Sequence, residues 1–227
     1  IMESGWNVVV THGSGPQVGY VLRRSEIAIK EVAPVPMDYA EADIQGAVGY
    51  MFQRALHNEF VKRGLKRNAI AVVSQVLVDQ ADPAFINPTK PIGPQLDEAI
   101  AKERAKELGW TVKDDAGRGW RRVVPSPMPQ EILELKQIEL LAKSGFIVVA
   151  CGGGGIPVIE NDKEYLVGVE AVIDKDLASS LLATELNAEV FIITTGVDRV
   201  AINFNSPEEE WLDNLTLDRA RDLYVSD

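Results

Sequence analysis

The sequence predicts an α/β protein with a mainly parallel sheet and a small subdomain inserted into it. Short apolar strands alternate with helical segments along most of the chain, which is typical of parallel sheets with helical crossovers. Two of the strands end in glycine turns, at residues 13–15 and 152–155. Between about residues 79 and 129 the alternation stops, and we expect this segment to form a protruding lid. The prediction is therefore one domain over residues 1–227 that carries an inserted lid.

The composition is that of an acidic globular protein. The 227 residues include 34 acidic and 23 basic side chains, a formal net charge of −11 with histidine neutral. Nucleic acids and anionic membranes bind basic surfaces, so we expect neither as a partner. No apolar run reaches the roughly 18 residues that span a bilayer, and no signal peptide opens the chain. The single cysteine, Cys151, excludes an internal disulfide, and these features together favour the cytoplasm.

The first strand and the turn behind it predict an anion site. Three consecutive valines are typical of a short buried strand, and Gly13, Ser14 and Gly15 follow them closely. Pro16 suits the first position of a helix, which we expect to extend to about residue 29. Glycine lets the backbone approach a ligand, and a helix N-terminus presents free N–H groups to it. Strand, turn and helix together indicate an anion cradle at the carboxyl edge of a parallel sheet.

Two further elements precede the inserted segment. Between about residues 41 and 63, apolar side chains recur at intervals of three and four, as on one face of an amphipathic helix. Gly64 suits the end of this helix, and the prolines in residues 32–36 predict a loop before it. Residues 70–78 are rich in valine and predict a second strand.

The inserted segment carries several candidate cations. We expect one helix near residues 97–108, and the prolines around residues 88–94 exclude a central strand there. Lys90 lies in this proline-stiffened loop, where spacing supports a solvated surface role and a role in the site equally. One or more of the arginines around Trp120 is expected to bind an anion. These arginines are Arg118, Arg121 and Arg122.

The alternation of strands and helices resumes after the insertion. A second glycine turn, which includes Gly152 and Gly153, follows a predicted strand. The elements predicted for this part of the chain are a helix over 131–143, a strand over 146–150, a turn at 161–162, an apolar run over 167–173, a helix over 177–186, a strand over 190–194 and a helix over 216–224.

A cluster of charges stands where the apolar run meets its helix. Lys175 lies between Asp174 and Asp176, and the alternative interpretation is a solvated charge run. A lysine at a strand end neutralises the negative charge of a transferring phosphoryl group. Asp176 either holds that lysine or contacts magnesium, and Asp174 is equally compatible with a helix N-cap. Neither glycine turn matches the Walker or the dinucleotide-binding pattern, so a phosphate site here uses another arrangement.

These motifs resemble those of the carbamate kinases in the amino acid kinase superfamily. The likeness covers nearly the whole chain, and the lid sequence separates it from the acetylglutamate, glutamate and uridylate kinases, which share the fold. The segments that carry the resemblance are 11–19 (THGSGPQVG), 82–94 (DPAFINPTKPIGP), 117–127 (GRGWRRVVPSP), 150–158 (ACGGGGIPV) and 168–178 (GVEAVIDKDLA).

The resemblance implies a three-layer αβα sandwich of the amino acid kinase fold, assembled as a homodimer. It also implies reversible phosphoryl transfer between carbamoyl phosphate and ADP, giving ATP and carbamate, with Mg²⁺ accompanying ADP or ATP. The residues that it implies for carbamoyl phosphate binding are Gly13, Ser14, Gly15, Arg121, Gly152 and Gly153. The implied catalytic residues are Lys175, Asp176 and Lys90, and the implied nucleotide-binding residues are Lys175, Thr195, Gly196, Val197 and Asp198.

Some features differ from the family pattern. Family members begin with a strand that ends in a Gly-Gly-Asn loop and finish with a glycine-rich segment carrying another lysine, and these 227 residues contain neither. Residues 1–5 resemble the last turn of a helix, so we expect both terminal segments to be missing and these residues alone to be catalytically impaired. Gln95 and Leu96 replace an aromatic pair. Two alternatives stay open, a related phosphotransferase acting on a carboxylate or phosphonate and a non-catalytic ligand-binding relative.

Overall fold

The computed structural model describes residues 1–115 and 117–226 and divides the chain into two compact units, Ile1–Glu189 and Val190–Asp227. In chain order the helices and strands of the first unit are β1 (Val9–Val10), α1 (Gly15–Ala28), α2 (Met37–Arg63), β2 (Ala69–Ala71), β3 (Gln75–Val78), β4 (Lys90–Leu96), α3 (Glu98–Leu108), β5 (Thr111–Asp114), β6 (Trp120–Val124), β7 (Pro129–Ile132), α4 (Leu135–Lys143), β8 (Ile147–Val149), β9 (Ile156–Glu160), β10 (Leu166–Gly168) and α5 (Lys175–Glu185). Among the described residues, no helix is both long enough and apolar enough to cross a bilayer.

The central strands confirm the predicted mainly parallel arrangement. One sheet has the order β1-β8-β2 with both pairs parallel, and Val9 stands opposite Val148. The other has the order β10-β9-β3-β7, in which β3 and β9 run parallel and the two outer strands antiparallel. Valine and isoleucine fill the central strands because both faces of such a sheet are covered. All three residues of β8 are buried.

The predicted strand over residues 70–78 is two strands in two sheets, so that prediction was wrong. β2 pairs with β8, whereas β3 pairs with β9 and β7. Between them the backbone N–H of Ser74 donates to Gln45 Oε1 at 2.8 Å, and the Ser74 hydroxyl donates to Val72 O at 3.0 Å. These side-chain bonds replace ladder bonds, and the strand therefore breaks at Ser74.

The predicted helix over residues 131–143 begins later, at Leu135, and its first part is strand β7. Ile132 stands opposite Val76 in the antiparallel pair of β7 with β3. Glu134 also caps the neighbouring strand, since its carboxylate accepts from the N–H of Gln75 at 2.7 Å. Sheet pairing thus outweighs the helical spacing of the apolar side chains here.

The two helices before the insertion form largely as predicted. α1 ends at Ala28, close to the expected residue 29, and α2 ends at Arg63, followed by Gly64 in the left-handed conformation with φ 66°. α2 begins at Met37, four residues before the expected start, directly after Pro36. Glu41 therefore lies inside the helix rather than at its beginning.

The segment between β3 and β7 builds a sheet of its own, with the antiparallel order β4-β6-β5 and helix α3. Lys90 is the first residue of edge strand β4, not part of a loop as predicted; the prolines are tolerated because the strand is at an edge. A Cβ at Gly19 would lie 2.5 Å from the Cα of Gly93, so the backbones of α1 and β4 are in contact. We refer to residues 79–129 as the lid segment; its role as a lid remains a prediction.

Two apolar cores position the candidate site. The larger core joins the central strands to α4 and α5, and the second joins α1 and α2 to β4. The buried residues of the larger core are Val76, Val78, Ile132, Ile138, Ala142, Val148, Ala150, Cys151, Ile173, Ala178 and Leu182. Those of the second are Val18, Leu22, Met37, Ala40, Ile92, Val124 and Val172.

The second unit contains an antiparallel hairpin of β11 (Val200–Ile202) and β12 (Glu210–Leu212), followed by helix α6 (Leu217–Ser226). The expected C-terminal helix is confirmed. The expected buried strand over residues 190–194 is wrong, because this segment has no strand pairing among the described residues and its apolar side chains are exposed, with Phe191 at 44%. Apolar composition alone does not make a strand where no neighbour supplies a ladder.

Candidate active site

The structure brings Lys175 to the first glycine turn. Lys175 opens α5, and a Cβ added at Gly13 would lie 3.3 Å from its Cδ. The bare backbone of Gly13 therefore leaves room for the lysine stem to lie across the turn. The ammonium group donates to Asp176 Oδ1 at 2.6 Å, so the next residue holds it in place. The turn and the charged cluster, 162 positions apart, form one site.

Asp174 joins this site to the lid segment. One of its oxygens, Oδ1, accepts from the N–H groups of Asp176 and Leu177, which makes Asp174 the N-cap of α5. The other, Oδ2, accepts from Lys90 Nζ at 2.6 Å. Partial burial raises the pKa of Asp174, but the bonds from Lys90 and the backbone outweigh it, so the pKa lies below its usual value. Asp174 is thus both the predicted N-cap and an anchor for a lid lysine.

The second glycine turn packs directly against the first. The N–H of Gly153 donates to the carbonyl of His12 at 2.8 Å. Gly153 has φ +71°, and a Cβ there would lie 2.5 Å from Glu41 Oε2 and 2.8 Å from Ser14 Oγ. Only glycine fits this position, because both the backbone conformation and the available space exclude a side chain. Gly152 and Gly153 therefore pack against the Gly13–Gly15 turn and the residue before it.

Glu41 is a site residue that sequence analysis missed. Its side chain is fully buried, Ser14 Oγ donates to its Oε1 at 3.4 Å, and its Oε2 has no hydrogen-bond partner among the described residues. Burial raises the pKa of Glu41 to about 7, and the Ser14 hydroxyl offsets part of that rise. A clue existed in the sequence, since Glu41 falls on the same helical face as Ile44 and Val48.

A second missed group fixes the glycine turn to the strands. Gln45 Nε2 donates to the carbonyls of Ser74 and Gly152, each at 3.1 Å, while its Oε1 accepts from the Ser74 N–H. The Ser74 hydroxyl in turn accepts from the N–H of Cys151 at 3.0 Å. This buried network ties α2 to the strand break and to the second turn. Gln45 lies one turn of helix beyond Glu41, on the same buried face.

The lid arginines divide between different partners. Arg121 lies on β6 with its guanidinium 3.7 Å from an Asp115 oxygen, and its buried Nε has no hydrogen-bond partner among the described residues. Arg122 lies over the Trp110 ring, 5.0 Å from the centroid, and burial lowers its pKa. Arg118 pairs with Asp115. The structure thus ties Arg121 to a lid carboxylate, and its predicted substrate contact stays a prediction.

The predicted nucleotide residues lie in the second unit and are described there by themselves. Thr195 Oγ1 donates to the carbonyl of Val197 at 2.7 Å and accepts from its N–H at 3.1 Å. This closes a small turn that includes Gly196 and leads through Asp198 toward β11. Of the predicted nucleotide residues, only Lys175 belongs to the first unit.

The side chains of His12 and Cys151 are packed against other parts of the protein. The His12 ring stacks on Phe52 with centroids 6.0 Å apart, and it fills the space where a side chain on Gly152 would be. Cys151 is fully buried, and burial raises the pKa of its thiol to about 12. Both side chains therefore contribute to packing around the second glycine turn.

A cleft of the molecule lies apart from this cluster. It has a volume of about 540 Å³ and lies beside β6, where Trp110, Arg122, Ile159 and Glu170 are among its walls. Lys90, Lys175, Arg121 and the two glycine turns do not line it, whereas Arg122, one of the three candidate arginines, does. The candidate active site is therefore located by its chemistry, with two lysines, two helix N-termini and two glycine turns in contact.

Comparison with known proteins agrees with this assignment. The family model described as "Amino acid kinase family" matches residues 1–226. Carbamate kinase from Pyrococcus horikoshii is 50% identical over 226 residues, which cover 99% of this chain and 72% of that protein. Carbamate kinase from Giardia lamblia bound to AMP-PNP superposes with TM-score 0.82 at 42% identity, covering 92% of this chain and 66% of the other. The same enzyme bound to citric acid gives 0.90 at 40% identity, covering 99% and 70%.

The match spans nearly all of this chain, whereas the chain spans about two thirds to three quarters of these relatives. The range matched by the family model includes both glycine turns, the lid segment and the Asp174-Lys175-Asp176 cluster. The chain therefore belongs to the amino acid kinase family and, within it, to the carbamate kinases.

Proposed function

We propose that this protein catalyses reversible phosphoryl transfer between carbamoyl phosphate and ADP, giving ATP and carbamate. The observation that carries the proposal is the position of Lys175 across the Gly13 turn at the N-terminus of α5. Membership of the carbamate kinases supports the substrate pair, and a relative described as bound to AMP-PNP supports the nucleotide.

In this proposal the site works by charge neutralisation and positioning. Lys175 binds the oxygens of the transferring phosphoryl group, and Lys90 reaches the same region from the lid segment. The N-termini of α1 and α5 add partial positive charge on the same side. Asp176 and Asp174 hold the two lysines at 2.6 Å, so their part is orientation and not proton transfer.

The transfer is proposed to be direct. A terminal oxygen of ADP forms the new bond to phosphorus while the bond from phosphorus to the carbamoyl oxygen breaks, and carbamate leaves with that electron pair. The buried Cys151 thiol and the stacked His12 ring are unsuited to act as covalent nucleophiles. The rate of transfer is raised because the two substrates are aligned in a site that neutralises the charge of the phosphoryl group.

The described residues offer no preformed cage for magnesium, since no group of three or more acidic, histidine or cysteine side chains is suitably placed. Asp174 and Asp176 are each paired with a lysine. We therefore propose that Mg²⁺ arrives on the phosphates of ADP or ATP, as it commonly does in kinases.

The same proposal includes five further features of the protein. These are nucleotide contacts at residues 195–198, substrate contact by Arg121, a closing role for the lid segment, assembly as a homodimer and a cytoplasmic location.

The test is ATP formation from ADP and carbamoyl phosphate by the full-length protein, compared with phosphorylation of acetylglutamate and of glutamate. We expect ATP formation from carbamoyl phosphate and ADP, and no phosphorylation of acetylglutamate or glutamate. Turnover only with a carboxylate substrate would assign the protein to the alternative phosphotransferase class. Calorimetric binding of ADP by the full-length protein without any turnover would assign it to the non-catalytic ligand-binding class.

A further inference from the structure

We propose that Glu41 is a positioning residue whose proton directs the Ser14 hydroxyl outward, toward the anion bound at the Gly13–Gly15 turn. The inference rests on the proposed function, since that anion is the phosphoryl group of carbamoyl phosphate. It assigns a role to a buried acid that the transfer chemistry does not use.

The geometry places the Glu41 carboxyl between the two glycine turns. Ser14 Oγ lies 3.4 Å from Glu41 Oε1, and Gly153 closes over Oε2, where a Cβ would be only 2.5 Å away. Oε2 has no other polar partner in the described part of the chain. A fully buried carboxyl with one unmatched oxygen is better accommodated as a neutral acid than as a carboxylate.

Ser14 has a single hydrogen, and Glu41 decides where it points. When Glu41 is ionised, both of its oxygens only accept, so the Ser14 hydroxyl donates inward and turns a lone pair toward the turn. When Glu41 is protonated, the acid O–H donates to Ser14 Oγ, which frees the Ser14 hydrogen to donate to an anion. The Ser14 side chain does not cap α1, so its hydroxyl is available for this exchange.

The charge of Glu41 affects anion binding in the same direction as the orientation of the Ser14 hydroxyl. An ionised Glu41 places a buried negative charge directly below the anion, whereas the neutral acid does not. Burial raises the pKa of Glu41 to about 7, so both forms are accessible near neutral pH. Anion binding is therefore expected to weaken as the pH rises and to be accompanied by proton uptake above pH 7.

Other titratable groups surround Glu41 and have to be separated from it. His12 packs on Gly152, Lys175 lies beside Gly13, and Cys151 begins the second turn. At the start of α2, Asp38 Oδ2 lies against Gly168, and Glu170, from outside the helix, accepts through Oε1 from the N–H of Met37. The test therefore varies only Glu41 and Ser14 and leaves His12, Lys175 and Cys151 unchanged.

The test measures sulfate binding by calorimetry between pH 6 and 8.5, since the charge of sulfate is constant over this range. For the wild-type chain we expect the Kd to rise about tenfold. For Glu41→Gln, whose amide donates to Ser14 at every pH, we expect a change below about twofold. For Ser14→Ala we expect weaker binding at pH 6 and a smaller pH dependence. A Glu41→Gln variant that follows the wild-type profile would assign the dependence to another group and overturn the proposal, as would no sulfate binding at any pH.

A second readout covers the case in which Glu41→Gln does not fold. Carboxyl ¹³C NMR of the wild-type chain should show a glutamate of high pKa, which rises further when sulfate is added. An unchanged pKa would overturn the proposal. Under turnover, the pH dependence should appear in the KM for carbamoyl phosphate and not in kcat. If sulfate binding shows the expected pH dependence but no turnover is found, the proposed function is contradicted and the role of Glu41 is not.

Discussion

Lys90 Nζ lies 2.6 Å from Asp174 Oδ2 and thereby joins the first residue of β4 to the N-cap of α5. The two residues are 84 positions apart in the chain. Asp174 uses its other oxygen on backbone N–H groups, so a single carboxylate orients both the lid lysine and the helix that begins with Lys175. The ion pair couples the position of the lid segment to the geometry of the site.

Lys90→Ala removes this link, and we expect a larger effect on catalysis than on stability. Both partners are about one-third exposed, so the loss of the pair should lower the free energy of unfolding by at most about 1 kcal/mol. The KM for carbamoyl phosphate should rise at least about tenfold, because a positioned cation is lost. Initial-rate kinetics and urea unfolding measure the two effects.

Lys113→Ala is the matched control for Lys90→Ala, since Lys113 lies in the same small sheet and its side chain donates to Asn87 Oδ1. We expect little change in its kinetics. Equal kinetic losses in the two lysine variants would indicate a general effect of lid charge and contradict the specific role of Lys90.

Lys175→Ala should lower kcat by at least about 100-fold, because it removes the cation nearest the proposed phosphoryl position. The fold should persist, since the Lys175 side chain is exposed and contributes no core packing. Steady-state ATP formation and circular dichroism measure the two properties. The exposed Lys163→Ala serves as the control, and near-normal turnover in Lys175→Ala would rule out its catalytic role.

Gly153→Ala should impair both folding and activity. The new methyl group would meet Glu41 Oε2 and Ser14 Oγ at a residue whose φ is +71°. We expect a loss of about 1–3 kcal/mol in the free energy of unfolding and a weaker anion site. Chemical denaturation and sulfate calorimetry check this expectation.

Gly46→Ala provides the contrast within α2. No heavy atom lies within 4 Å of a Cβ at Gly46, and the residue is exposed inside the helix. This change should stabilise the protein by about 0.5–1 kcal/mol through helix propensity. If the two alanine variants had similar stabilities, the close packing of the two glycine turns would not matter energetically.

The stability of the protein should depend on the ionisation of Glu41. Burial raises its pKa from 4.5 in the unfolded chain to about 7 in the folded one. The group therefore costs nothing while both states are protonated, and it destabilises the fold as pH rises from about 4.5 to 7. By linkage, Glu41→Gln should gain about 2–3 kcal/mol relative to wild type between pH 5 and 8.

Urea unfolding of wild type and Glu41→Gln at several pH values measures this gain, with the exposed Glu103→Gln as the control. A stability difference between wild type and Glu41→Gln that stays constant with pH would show that Glu41 has an ordinary pKa in the folded protein.

Cys151 should be unreactive in the native state. The thiol is fully buried and its pKa is raised to about 12, so little thiolate forms at neutral pH. Alkylation by iodoacetamide at pH 8 should be at least about 100-fold slower in the folded chain than in urea. Similar rates in both conditions would mean that the second glycine turn opens readily.

Much of the site could be predicted because its residues are local motifs. A glycine turn after a valine run and a lysine between two aspartates are visible within a few positions, and both lie in the site. The errors fall where pairing with distant segments decides the outcome. Residues 70–78 break at Ser74 because Gln45 binds its backbone, and Ile132 is in a strand because Val76 lies opposite.

By itself, the sequence determined the family, the alternation of strands and helices, and the lysines and glycines suited to binding a phosphoryl group. The family followed from the resemblance of the motifs, and spacing and residue type, which are local properties of the chain, were enough for the rest. Only the tertiary structure decided that Lys90 meets Asp174 and that Glu41 lies sealed between Ser14 and Gly153. Those contacts depend on how α2, the lid segment and the strands pack, and burial, not sequence position, sets the charge of Glu41.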